Sequence, residues 1–202
     1  MITIYSSIKS SRLEYVLNFI FKNLLEIEFK WTQDSTNLDG VILNYSDQIL
    51  SCHNYQIQPS GFLVDGNWDF KKYIFLKNKS NYFFPLEKGD HHFDILSSIF
   101  FIISRMEEYH TKDYDEHQRF NSGNSSLVKL NLEQNPIVDQ WCFSLLSQLN
   151  AKFNVELISP RKFHQYSTFD IDNAYAFKYK GFSRSFGSFF KDLISFRFYK
   201  LK

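Results

Sequence analysis

The chain has 202 residues, 44% of them apolar and 22% charged, which is enough for one domain or one domain plus part of another and excludes a disordered polymer. The formal net charge of +1, with basic residues scattered along the chain, excludes a nucleic-acid footprint and an acidic-membrane binder. The 23 Phe and 12 Tyr read as a compositional bias shared with Ile, Lys and Asn; aromatic surfaces can stack on sugars, but composition alone assigns no such role.

Residues 2–5 read as a first strand. They carry no basic region followed by an apolar stretch, so the chain is expected to be cytoplasmic. Ser10 or Ser11 is placed to cap a helix, and Leu13, Val16, Leu17, Ile20, Phe21, Leu24 and Leu25 recur at helical spacing, predicting a helix over 11–26. Residues 27–31 and 41–45 read as strands on either side of the turn signal Asp39-Gly40. Short β-prone pieces follow at 56–57, 61–64 and 73–76, and residues 81–85 precede a break at Gly89-Asp90. The strongest helix signal covers 93–109, with Phe93, Leu96, Phe100, Ile103 and Met106 on one face, and it predicts a long buried helix. Residues 110–126 read as a polar loop. Pro136 opens a further helix to about 149, and 154–158 read as a strand. The longest apolar run, 99–103, is far too short to span a bilayer. Cys52 and Cys142 lie far apart and belong to no CxxC; they could pair in principle, but two buried free thiols are expected. The order of elements predicts an α/β class, with α+β as the alternative, and a mixed sheet in the first domain. A boundary near Pro160 divides the chain into 1–160 and 161–202. The second part opens with a strand at 166–171 and carries a helix at 186–196.

The run Ser167-Thr168-Phe169-Asp170-Ile171-Asp172 delivers two carboxylates two residues apart, on one side of a strand. At a barrel mouth, one could hold a metal and the other take a proton from metal-bound water; the same pattern also occurs in turns and helix caps. A second cluster comprises Arg105, Glu107, Glu108, Asp113, Asp115, His117 and Arg119. Glu107 and Glu108 fall at the end of the predicted 93–109 helix, where carboxylates oppose the macrodipole and call for cationic partners. Three readings are open for the cluster: an ion-pair network pinning the following loop, a sugar- or phosphate-contacting site, and a metal site from Asp113, Asp115 and His117. His91-His92 is read as an aid to capping, with a ligand pair as the alternative, and Trp141 as core. No Gly-rich phosphate loop and no nucleophile elbow is present in the sequence.

Thr168-Phe169-Asp170-Ile171-Asp172 resembles the first motif of the polysaccharide deacetylases, the NodB-homology carbohydrate esterases, with one residue between the aspartates. Residues 104–109, 115–120 and 136–141 resemble, in order, a domain of unassigned function that precedes deacetylase-like domains in Bacteroidetes-type proteins. The resemblance implies a deformed (β/α) barrel beginning after residue 160, with Asp170 as general base, Asp172 as metal ligand and zinc as the metal. It implies an N- or O-acetylated glycan as substrate. That family completes its metal site with a His-x-x-x-His helix. No pair among the six histidines here has that spacing and none follows Asp172, so tight metal binding and activity are not expected of this chain alone. The C-terminal remainder of the deacetylase domain is then its implied partner. The rival reading is a non-catalytic module that binds a glycan or a protein, or supports its neighbour. A nuclease-like use of the two aspartates lacks a Glu-x-Lys constellation and a basic cleft.

Overall fold

The computed structural model describes residues 1–64 and 82–170, together with Gly187, Phe190 and Lys191. The chain divides into two compact units, Met1–Lys162 and Phe163–Lys202. The first unit is α/β. Four parallel strands, β1 (Ile2–Ser6), β2 (Phe29–Thr32), β3 (Val41–Tyr45) and β4 (Tyr55–Gln56), pair in the order β2-β1-β3-β4. Antiparallel pairing enters among the described residues as isolated bridges, Ile57 with Gly89, Pro85 with Phe93 and Tyr114 with Phe120, so the named strands are parallel where a mixed sheet was expected. All five residues of β1 and all five of β3 are buried, the pattern of parallel strands covered on both faces.

Ser10 caps α1 (Ser11–Leu17), its hydroxyl accepting from Leu13 N–H at 3.1 Å. The expected single helix over 11–26 runs instead from α1 into a π-helix, Asn18–Leu24. Leu25 N–H donates to Ile20 C=O at 2.8 Å and Ile27 N–H to Phe21 C=O at 2.7 Å, and the wider turns keep Ile20, Phe21, Leu24 and Leu25 all buried.

The expected long helix over 93–109 is two helices. Asp94 caps α2 (Ile95–Ile103), whose residues from Ile95 to Phe101 are buried. Ser104 then turns its hydroxyl back onto Phe100 C=O, Arg105 N–H donates to Ile102 C=O at 3.1 Å, and Arg105 takes the left-handed conformation at φ 54°. A new short helix, α3 (Met106–His110), starts there. The segment expected to be a loop, 110–126, contains a 3₁₀ turn at Ser122–Asn124 and runs at its last residue into the one-turn helix α4 (Ser126–Lys129). The last helix, α5 (Ile137–Phe153), follows Pro136 as expected and is one turn longer than its apolar pattern predicts. Trp141, Cys142, Leu145, Leu146 and Leu149 form its buried face, with Trp141 against Phe93 at 5.1 Å between ring centroids.

Residues 154–158, expected to form a strand, join no sheet among the described residues, and neither do 166–170. Residues 61–64 are a turn, and the pieces expected at 73–76 and over most of 186–196 lie outside the described residues. No helix among the described residues is long and apolar enough to cross a membrane.

Candidate functional site

The Arg105–Arg119 cluster is built by the helix break. With α2 ending at Ile103, Glu107 and Glu108 lie in the first turn of α3, where the helix dipole favours carboxylates, rather than at the end of a long helix. Arg105 donates to both carboxylate oxygens of Glu108, Nε to Oε1 at 2.6 Å and Nη2 to Oε2. That hydrogen-bonded pairing holds the Glu108 carboxyl below its ordinary range and raises the guanidinium. Glu107 turns away to α4, accepting from Ser125 Oγ at 3.0 Å and Ser126 N–H at 2.8 Å, and thereby serves as that helix's cap.

Asp115 organises the next turn. Its Oδ1 accepts from the backbone N–H of His117 and Arg119, and its Oδ2 accepts from the Arg119 guanidinium at 2.9 Å. The Arg119 backbone N–H is the largest cause of a lowered Asp115 carboxyl, with the Arg119 side chain and the His117 N–H adding to it. Asp113 accepts from Asn124 Nδ2 at 2.7 Å, and His117 faces Glu116 at 3.4 Å. These acids therefore go to separate structural partners, and no three of His, Cys, Asp or Glu converge as a metal cage among the described residues.

A more enclosed polar centre is built on Tyr55, the first residue of β4. Tyr55 is buried, and its hydroxyl lies 2.7 Å from His91 Nδ1, donates to Gln148 Oε1 and faces Asp90 C=O at 3.3 Å. Lys152 pairs with Asp90 at 2.6 Å and stands 5.6 Å from the Tyr55 ring centroid. Burial pushes the His91 imidazole down to about 4, with the neighbouring His92 acting in the same direction and Gln148 opposing. Burial, then the Asp90 charge, raises the Tyr55 phenol. His91 is thus a neutral imidazole whose Nδ1–H is suited to donate to Tyr55, and the group locks α5 onto the sheet. The sequence offered His91 a capping role, with a ligand pair as the alternative, and gave no role to Tyr55, Gln148 or Lys152. The sole local signal was a histidine pair beside a turn.

The third polar centre is Asp94, fully buried and in no salt bridge among the described residues. Its Oδ2 accepts from Tyr45 Oη at 2.9 Å, Ser97 Oγ at 2.6 Å and Ser60 N–H at 2.8 Å, and its Oδ1 from Ser97 N–H at 3.0 Å. Four donors and the start of α2 replace water for this carboxylate. Asp94, just before the apolar run, was a readable cap signal.

Asp170 is exposed and stands in the second unit, and Asp172 lies outside the described residues. A surface groove of about 590 Å³ lies at the amino ends of β1 and β2, lined in part by Met1, Lys22, Glu26 and Phe29, away from all three polar centres.

A family model described as "Family of unknown function (DUF7033)" matches residues 2–154. The chain belongs to this family. The family region contains all three polar centres and ends before the Thr168–Asp172 motif. No curated protein and no solved structure matches the chain.

Proposed function

We propose that the family region is a non-catalytic accessory unit of a cytoplasmic protein, placed ahead of a deacetylase-like segment that opens with Asp170 and Asp172. In the intact protein the reaction would be hydrolysis of an N- or O-acetyl group on a glycan. Asp170 would accept a proton from the attacking water, and Asp172 would be one ligand of a zinc ion that polarises it. The observation that carries the accessory reading is the commitment of the acids in the 105–119 cluster: each of Glu107, Glu108, Asp113 and Asp115 has a backbone, amide or guanidinium partner within the unit. The likeness of residues 168–172 to the first deacetylase motif supports the second half of the reading.

Zinc titration by calorimetry on the 202-residue chain, with Asp172→Ala beside it, tests the accessory half. The expected result is no heat that depends on Asp172 and no acetate released from N-acetylglucosamine oligomers. Tight binding abolished by Asp172→Ala, or acetate release, would overturn it. Reading the gene beyond codon 202 tests the other half: a continuing frame with a His-x-x-x-His segment is expected, and its absence would leave only the module.

A further inference from the structure

We infer that residues 155–161 form a strap that doubles back along α5, so that the folded unit extends past its family region and releases the chain from a fixed point. Four observations lie behind this. Asn154 ends α5 in the left-handed conformation at φ 51°, and Val155 N–H reaches back to Asn150 C=O at 3.1 Å, the six-to-one bond that reverses a chain at a helix end. The Asn150 side chain then grips Leu157 by both backbone groups, Nδ2 donating to Leu157 C=O and Oδ1 accepting from Leu157 N–H, each at 2.9 Å. This amide behaves as a one-residue strand partner. Leu157 is half-buried against the core, and burial alternates beyond it: Ile158 is exposed, Ser159 partly covered and Pro160 exposed. Finally, Arg161 Nη1 meets Asp139 Oδ1 at 2.5 Å, in the first turn of the same helix.

The dimensions agree. From Asn150 back to Asp139 the helix descends ~16 Å, and four extended residues from 157 to 161 cover ~13 Å before the Arg161 side chain is counted. Pro160 holds Ser159 away from helical geometry, which keeps the strap extended. A residue pair at each end of the helix therefore fixes the path, and Lys162 leaves the unit near the start of α5 rather than near its end. The strap would give whatever follows a defined origin instead of a loose tether. This goes beyond the accessory reading and does not need a deacetylase to follow.

Hydrogen exchange on the full chain, read by mass spectrometry, tests it. The amides of Val155 and Leu157 are expected to exchange at least about tenfold more slowly than in an unstructured peptide. Asn150→Ala is expected to remove the protection at Leu157 while leaving that of Trp141 to Leu146. Asp139→Asn, on the surface, covers the case in which Asn150→Ala fails to fold. It should speed tryptic cleavage after Arg161 about two- to fivefold, and added salt should do the same to the unaltered chain. Exchange over 155–161 within about twofold of the unstructured rate, or cleavage after Arg161 unchanged by Asp139→Asn, would overturn the strap.

Discussion

Replacing Asp94 by Ala should be the most damaging single polar change in the family region. The substitution removes the α2 cap, worth about 1 kcal/mol. It also strips the acceptor from two buried hydroxyls, those of Tyr45 and Ser97, which as donors keep only a 3.4 Å approach to each other, and from the part-buried Ser60 N–H. A buried donor without a partner costs about 1–3 kcal/mol, so the cap and the two hydroxyls together come to about 3–7 kcal/mol. Domains of this size have about 5–15 kcal/mol of stability in all, so the variant should be near its unfolding threshold at 37 °C. Urea unfolding followed by far-UV circular dichroism measures the loss. A double-mutant cycle isolates the network: Tyr45→Phe alone should cost about 1 kcal/mol, but in the Asp94→Ala background it removes an orphaned hydroxyl and should cost nothing. That implies a coupling of about 1 kcal/mol or more. Asp94→Asn should fall between, because its amide group must face one of the donors with an N–H of its own. A loss below about 1 kcal/mol for Asp94→Ala, or additivity within about 0.3 kcal/mol, would refute the view that this carboxylate is held by its donors.

His91 should make stability depend on acid. The unfolded chain takes up a proton near the ordinary histidine value of about 6.5, whereas the folded imidazole, pushed down to about 4, does so only at lower pH. The unfolded state thus binds more protons in between. The contribution is fully present above pH ~6.5 and is lost as pH falls toward ~4, by up to about 3 kcal/mol. Urea midpoints measured between pH 7 and 4 should show this slope, and His91→Gln should flatten it; an unchanged slope in the variant would assign the effect elsewhere. Cys142 is buried and its thiol is pushed up to about 12, first by burial and then by the Asp139 charge. It should resist alkylation at pH 8 in the native chain and react once urea unfolds it, while the partly exposed Cys52 reacts first. Equal native rates for the two would contradict the burial.

Much of the fold could be read locally. The strand at 41–45, the cap at Ser10 and the apolar stripe of α1 are each written within a few consecutive residues, because alternation, periodicity and capping are properties of neighbours. Pro136 marks α5 in the same way. The break at Arg105 was not readable, since Ser104-Arg105-Met106 interrupts no helical pattern; it reversed the setting of Glu107 and Glu108 from a helix end to a helix start. The candidate site divided along the same line. The acids of 105–119 were visible as a cluster, and their partners are mostly within a few positions of one another. The centre around Tyr55 was invisible, because Tyr55 lies 36 residues from His91 and 93 from Gln148. Sequence by itself determined the α/β elements and the order of the motifs, through forces that act between near neighbours. Only the tertiary structure decided which polar groups meet and where the chain folds back along α5, because those contacts exist only once the apolar faces of sheet and helices have been buried together.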